Sequence, residues 1–379
     1  MKIVFLLEKL EKGGAERVAS ILANKFNKDS YQVEIWTLHN SKIAYHFQSS
    51  ITIKSLSLKA FYPKMNFIIK LYHFLKRIYV LSKALKQSKP NIIIAFGDSV
   101  NLTSILARMI FRIKIPLILS IRSNPELNAP KQMRRLINIF YRFADTIVVQ
   151  TNFIKDVIEP YVRNVPIKVL PNPVKIVQKK RSSENKKKYH FLSVGRLVAL
   201  KNHAQLIESF AQIKTLLPTN AKLCIAGAGK KGFYNDNQEN EQKNLESIIE
   251  ENNLQENVIL LGNIDNIEAI YQQSMIFVHP SSYEGMSNAL LEAMSFGLPC
   301  IVSNYDGVTD VITNNKNGII VPIKDTNALK NAMLRLSRDQ KLRLKFSEAS
   351  SKAISEKFEL NLIYKKWVSL LTNLANNKK

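Results

Sequence analysis

Strand-like apolar runs alternate with helix-like stretches along this chain, and the alternation starts over near its middle. "KIVFLL" reads as a buried strand, and "EKLEKGGAERVASILANKFN" puts a Gly-Gly turn in front of an amphipathic helix. The strand "YQVEIWTL", a helical stretch from about Asn66 to Ser88, the strand "NIIIAFG", the helix "NLTSILARMIF" and the strand "IPLILSIR" follow. A helical region around "QMRRLINIFYRFA" then leads to "DTIVVQT" and "IKVLPNPV". From Asn172 to about Tyr189 the chain turns polar and basic ("QKKRSSENKKKY"), which suits a linker. The second round runs from "HFLSVGR" through "AKLCIAG", "VILLG", "MIFVHPS" and "PCIVSN" to "NGIIVPI", with helical segments between. Such alternation predicts an α/β fold: parallel sheets with helices on both faces. Two Rossmann-like β/α/β domains are expected, residues 1–172 and 173–357. A C-terminal helix over about 358–379 is long enough to pack back on the first. Two such halves facing one another make a cleft, and doubly wound sheets bind ligands at the C-terminal ends of their strands.

The 379 residues suit two domains better than one. Cys224 and Cys300 both fall in apolar strand-like runs, which fits buried reduced thiols and a cytosolic setting rather than a disulfide scaffold or a zinc site. "MKIVFLL" lacks a small-residue cleavage site and reads as a first strand rather than a signal peptide. No run of about 18 uncharged apolar residues predicts a membrane span. Charge divides unevenly: residues 1–170 hold 27 Lys and Arg against 10 Asp and Glu, a net +17, and the remainder holds 28 against 20, a net +8. A basic first half points to an anionic partner met by that half.

Three stretches of the second half carry chemistry. In "SVGRLVALKN" a strand ends at Gly195, and Arg196 and Lys201 follow within one loop, able to reach one diphosphate together. "IAGAGKKG" has Gly227 and Gly229 in a strand-to-turn segment that permits close backbone approach. In "SSYEGMSNALLEAMSFGLP", Glu284 and Glu292 stand eight residues apart. Within one helix that spacing is roughly 12 Å, too far for both carboxylates to clamp one atom. The better geometry has Glu284 in a strand-to-helix turn, with Gly285 allowing an unusual backbone angle and Ser287 or Asn288 capping the helix. The N–H groups of Met286, Ser287 and Asn288 then favour an anion, and Glu292 lies one or two turns deeper. Carboxylates accept from hydroxyl groups and cations hold phosphates, and a sugar nucleotide offers both kinds of group.

Together "PNPV", "SVGRLVALKN", "IAGAG", "VILLGNIDNI" and "HPSSYEGMSNALLEAMSFGLPCIVSN…GVTDVI…NGIIV" resemble the retaining glycosyltransferases of the GT-B fold with the Glu-x7-Glu signature, and "GGAERV" fits that group too. The resemblance runs from Lys2 to about Tyr364. It implies that Glu284 contacts the donor sugar, Glu292 the ribose, and Arg196 and Lys201 the diphosphate. It also implies that Gly14 approaches the donor from the first domain and that Asn263 and Ile264 lie beside the nucleobase. Many relatives carry a histidine after the strand matching "IPLILSI"; here Arg122 of "SIRSNPE" stands there, and arginine cannot serve as a general base at neutral pH. An "SxRxxP" variant also occurs in the group, so Arg122 is kept as a candidate for contacting the sugar or stabilising charge. His39, His46 and His203 read as structural histidines. No Asp-x-Asp occurs in the chain, so no metal or other cofactor is expected beside a UDP-sugar donor.

Residues 66–89 contain no acid. On a helical wheel Phe67, Leu71, Phe74, Leu75, Ile78, Leu81 and Leu85 share one arc, expected to pack on the sheet. Lys70, Lys76, Arg77, Lys83 and Lys86 take much of the other side, and Arg134 and Arg135 add a further basic cluster. Such surfaces suit anionic lipid heads or a lipid-linked diphosphate. The segment resembles the basic acceptor-side helix of family members that extend polyprenyl-diphosphate-linked glycans, N-acetylgalactosamine transferases among them. The expected protein is a metal-independent hexosyltransferase, cytoplasmic and peripheral on the inner face of the membrane. Its expected partners are a nucleotide sugar, a lipid-linked, lipopolysaccharide or capsule glycan and an anionic membrane surface. Two alternatives are a GT-B sugar-nucleotide epimerase and a basic nucleic-acid-binding protein, the second opposed by the glutamates and the lack of a recognition motif.

Overall fold

A computed structural model describes residues 1–59, 66–162, 164–176, 188–229 and 238–376. Most of the basic stretch read as a linker (177–187) and the end of "IAGAGKKG" (230–232) lie outside those residues. The chain divides into two compact units, Met1–Pro173 with Asn361–Lys379, and Val174–Leu360.

The first unit holds β1 (Lys2–Leu7), β2 (Gln32–Thr37), β3 (Thr52–Ser55), β4 (Ile92–Phe96), β5 (Leu117–Ser120), β6 (Thr146–Val149) and β7 (Ile167–Val169). They form one parallel sheet in the order β3-β2-β1-β4-β5-β6-β7. The second holds β8 (Tyr189–Val194), β9 (Leu223–Ala226), β10 (Val258–Gly262), β11 (Ser274–His279), β12 (Cys300–Ser303) and β13 (Ile319–Val321), parallel in the order β10-β9-β8-β11-β12-β13. The helices of the first unit are α1 (Gly14–Lys28), α2 (Phe67–Ser88), α3 (Asp98–Ile110), α4 (Pro125–Asn128), α5 (Lys131–Phe140) and α6 (Asn152–Ile158). Those of the second are α7 (His203–Ile213), α8 (Gln238–Glu251), α9 (Ile267–Gln272), α10 (Asn288–Ser295), α11 (Thr326–Arg338) and α12 (Gln340–Ala353), and α13 (Leu360–Asn376) closes the chain.

Successive side chains of a strand point to opposite faces, and helices cover both faces of these sheets. In β1, Val4 and Leu6 enter one core, while Ile3, Phe5 and Leu7 enter the other. Ile363, Trp367 and Leu371 of α13 complete that second core beside Phe5 and Phe26. In β8, Phe191 and Leu192 divide in the same way. The expected α/β architecture with two Rossmann-like halves is the one observed; β3, a four-residue edge strand, was not anticipated. Among the described residues no helix is long and apolar enough to cross a membrane.

The expected faces of α2 are corrected. Ile78, Leu81, Ala84 and Leu85 are buried, but Phe67, Leu71 and Leu75 are exposed. Core neighbours begin only near Phe74, so the wheel arc holds for the second half of the helix alone. Arg77, expected on the open basic face, is 0% exposed. Its Nη2 donates to the Lys59 carbonyl at 2.7 Å and lies 3.2 Å from His39 Nε2, and its Nη1 donates to Ser99 Oγ at 3.3 Å. A buried guanidinium needs such acceptors, and the segments after β2 and β3 supply two of them.

Candidate functional site

In a doubly wound sheet, ligands bind beyond the strand C-termini where the strand order reverses. In the second sheet that point lies between β8 and β11, which pair directly (Ile276 with Phe191, Phe277 with Leu192). The segments leaving these two strands carry Arg196 and Lys201, and Glu284. Hydrogen bonds stitch them together. Asn202, left-handed at φ 50°, donates through Nδ2 to the Pro280 carbonyl (2.7 Å) and to Ser282 Oγ (2.6 Å). The Leu200 carbonyl accepts from the Ser282 N–H (2.9 Å) and from Ser281 Oγ (3.2 Å). Gly227 braces the same region: its φ is 147°, and a Cβ there would stand 1.8 Å from the Gly195 carbonyl oxygen. A side chain there would collide with the backbone of the β8 loop.

These stitches bring Lys201 Nζ onto Glu284, and Nε2 of His279 lies 2.9 Å from Glu284 Oε1. Burial alone would push the Glu284 carboxyl up; the Lys201 ammonium and the His279 contact outweigh it and bring it down to about 2. The carboxylate is thus ionised throughout the neutral range and acts as a hydrogen-bond acceptor, not as a proton donor. Burial pulls His279 down, against the pull of Glu284, so the ring is neutral with Nε2–H as the donor. Nearby His203 is buried as well and, beside Lys201, is held down to about 3. Arg196 is exposed at the end of β8.

Ser287 is the N-cap of α10, its Oγ accepting from the Leu290 N–H at 3.2 Å. Met286 and Ser287 are buried and Asn288 is half-buried. Gly285 is not among the positive-φ residues, so the unusual angle expected there is absent. Glu292 is 9% exposed and accepts from Tyr271 Oη at 3.3 Å, which excludes an idle, solvated helix position. Asn263 is exposed and Ile264 half-buried just past β10, where the Gly227 N–H donates to the Gly262 carbonyl at 2.8 Å.

In the first unit the order reverses between β1 and β4. Gly14 opens α1 after β1, and Tyr45 Oη braces the preceding Gly13 through both its N–H (2.8 Å) and its carbonyl (2.7 Å). Arg122, two residues past β5, lies over the Phe96 ring (5.3 Å) and donates through Nη1 to Asn172 Oδ1 at 2.7 Å. Its Nε and Nη2 are enclosed with no hydrogen-bond partner among the described residues, and burial pulls the guanidinium down to about 9. His39 is held by the Leu58 carbonyl and Arg77, and Cys224 and Cys300 are free, buried thiols. Lys76 and Arg135 are exposed; Lys70 and Arg134 are half-buried.

Sequence reasoning missed His279, Asn202, Tyr271 and Asn172. Three of them stand in the quoted motifs "HPSSYEG", "ALKN" and "PNPV", so position beside a reactive residue was the available signal. Tyr271 carried none.

Two parallel sheets, each with its polar side chains gathered beyond the strand C-termini, define a GT-B fold. Residues 174–353 match the family Glycosyl transferases group 1, and residues 12–178 match Glycosyltransferase Family 4. The chain belongs to this glycosyltransferase family and is an enzyme of that class. It is 30% identical over 378 residues (99% of each chain) to the GalNAc-alpha-(1->4)-GalNAc-alpha-(1->3)-diNAcBac-PP-undecaprenol alpha-1,4-N-acetyl-D-galactosaminyltransferase of Campylobacter jejuni subsp. jejuni serotype O:2. It is 28% identical over 329 residues (79% of this chain, 80% of the other) to the UDP-Gal:alpha-D-GlcNAc-diphosphoundecaprenol alpha-1,3-galactosyltransferase of Escherichia coli. Among solved structures, Anabaena HepE in complex with UDP and glucose aligns with TM-score 0.80 at 17% identity, over 98% of this chain and 99% of that one.

Proposed function

We propose that this enzyme moves a hexose or N-acetylhexosamine from a UDP-sugar to a lipid-linked glycan, with retention at the anomeric carbon. The observation that carries the reading is the Lys201–Glu284–His279 cluster at the strand-order reversal of the second sheet, with buried Glu292 on the helix that follows. Glu284 accepts from hydroxyl groups of the donor sugar, and Glu292 from the ribose. Arg196 and Lys201 take the diphosphate, Lys201 exchanging its carboxylate partner for phosphate oxygens. Asn263 and Ile264 flank the base, and the N–H groups of the turn from Gly285 to Asn288 add dipoles toward the phosphates. Gly14 and Gly227 serve as close backbone approaches. Two relatives named for diphosphoundecaprenol-linked glycans, one of them for UDP-Gal, support this choice of substrates.

With no side chain assigned as nucleophile, the chemistry rests on the leaving group. The bond between the anomeric carbon and the diphosphate oxygen breaks as the two cations stabilise the departing charge. The acceptor hydroxyl attacks from the same face, and its proton passes to the released diphosphate. Arg122 lends positive charge to an anionic group of the substrates. No metal is assigned to any step.

The acceptor end of the reading rests on α2. Its exposed first half shows Phe67, Ile68, Leu71, Tyr72 and Leu75, with exposed Lys76 and Lys83 further along. Apolar and aromatic side chains interleaved with lysines suit the interface of an anionic bilayer, and Arg134 and Arg135 extend the basic character. The enzyme then works as a peripheral protein on the cytoplasmic face, where polyprenyl-diphosphate glycans are within reach. The test is a thermal-shift panel of UDP-, GDP- and ADP-sugars and an oligonucleotide, followed by transfer from labelled UDP-hexoses into membrane extract. Stabilisation by UDP-sugars and label in the lipid fraction are expected. Stabilisation by the oligonucleotide alone overturns the reading, and free epimerised sugar nucleotide without transfer points to the epimerase.

A further inference from the structure

Lys201 and His279 hold the same carboxylate in different ways. Lys201 has a side chain 16% exposed at the end of a flexible stem, so it can be drawn toward an incoming anion. The His279 side chain is 3% exposed and belongs to β11 itself. Its ring stacks on Phe277 (5.9 Å, 15°) and meets Tyr305 edge-on (5.9 Å, 86°), so packing fixes the direction of Nε2. When the ammonium turns to a diphosphate, Glu284 loses its nearer partner and would swing or draw a proton without a second one. His279 is enclosed by protein and stays where it is.

We infer that His279 is a positioning residue: its Nε2–H holds the Glu284 carboxylate in line for the donor sugar once Lys201 has been taken up by the diphosphate. The inference rests on the donor-site reading proposed for this cluster and deepens it. It assigns the sugar's share of donor recognition, as distinct from the nucleotide's, to a hydrogen bond made within the protein. UDP alone has no sugar for Glu284 to hold, so its binding does not depend on His279. A hydrogen bond to a charged acceptor is worth roughly tenfold or more in an equilibrium or rate.

The experiment compares His279→Phe, His279→Gln and His279→Asn. Phenylalanine keeps the ring between Phe277 and Tyr305 but has no donor. The glutamine amide nitrogen falls near the position of Nε2, and that of asparagine near Nδ1. Affinity for UDP is measured by calorimetry. Turnover and KM are measured with UDP-glucose, UDP-galactose and their N-acetyl forms. The expected result is UDP affinity within about twofold of wild type in all three variants, kcat/KM lowered tenfold or more in the Phe and Asn variants, and most of the loss recovered in the Gln variant. Equal loss of UDP binding and turnover, or a Gln variant no better than Asn, overturns the inference; should the Phe variant fail to fold, the Gln and Asn pair decides between the same two outcomes. A wild-type chain that binds neither UDP nor any of the four sugar nucleotides overturns the donor-site reading beneath it instead.

Discussion

Lys201 follows β8 in the second unit and meets a carboxylate; Arg122 follows β5 in the first and meets an amide oxygen and the Phe96 ring. Both stand just beyond strand C-termini, yet their charges are handled in opposite ways. The second unit neutralises its cation internally, through loops sewn together by Asn202, Leu200 and Ser281. The first unit encloses Nε and Nη2 of an arginine against Phe96, with no acceptor for them among the described residues. A buried cation without a counter-charge lowers stability, and under the proposed function Arg122 is kept at its strand end for an anionic group of the substrates. On that proposal the pair separates an exchangeable charge from a waiting one.

The hardest blow to this comparison is the double variant Arg196→Ala, Lys201→Ala. Losing both cations proposed to hold the diphosphate should lower turnover by roughly 10²-fold or more, by analogy with removal of an oxyanion donor. The check is steady-state transfer at saturating donor. Near-normal turnover would mean that Lys201 serves only to balance Glu284.

Arg122→Met sharpens the other half. The thioether keeps the contact with Phe96 while removing the unpaired charge. Activity should fall roughly tenfold or more, while Tm stays level or rises by about a few degrees, since a desolvated cation is exchanged for an apolar group. Falling Tm with unchanged activity would make Arg122 a structural residue and dissolve the contrast.

Acid titration probes the internal balance of the second unit. His203 is 1% exposed, and its folded-state value is about 3 against an ordinary 6.5. A depressed value means the unfolded chain binds the proton first, so stability present above pH 6.5 is lost as pH falls toward 3. Removing the imidazole in His203→Gln should flatten that slope, by an amount on the order of a few kcal/mol between the two limits. Glu284 adds a second, lower window, from 4.5 down to about 2. Denaturant midpoints of wild type and variant across pH 2–7 measure both.

The residues explain which parts were legible. Strands covered on both faces must be apolar throughout, so "NIIIAF" announces β4; β3 is an edge strand reading "TIKS" with half its side chains in water, and no such run marks it. Glu284, Lys201 and Glu292 stand out in the sequence because spacing and residue type limit what they can do. His279 looked like the last residue of a strand, which it is; the turn after β11 brings Glu284 back to its ring, and the pairing of β8 with β11 sets the Lys201 loop beside the same carboxylate. Arg77 was misread for the opposite reason. A helical wheel ranks arginine as solvent-facing, and nothing local says that the Lys59 carbonyl, Ser99 and His39 converge on it.

The smallest effect tests whether the open charge of the first unit extends along α2. Lys76 and Lys83 are exposed, so Lys76→Glu and Lys83→Glu should leave Tm unchanged. Each reversal should weaken sedimentation with vesicles containing phosphatidylglycerol by about 1 kcal/mol or somewhat more per charge, and added salt should shrink the difference. Arg77→Ala is the control on the same helix. It strands the Lys59 carbonyl and its neighbours, so it should cost about 2–3 kcal/mol of folding stability, whatever it does to vesicle binding. If Lys76→Glu and Lys83→Glu bind vesicles as wild type does, the exposed residues from Phe67 to Leu75 act without electrostatic help or do not meet lipid. The charge proposed to meet anionic partners in the first unit would then narrow to Arg122 and the α5 arginines.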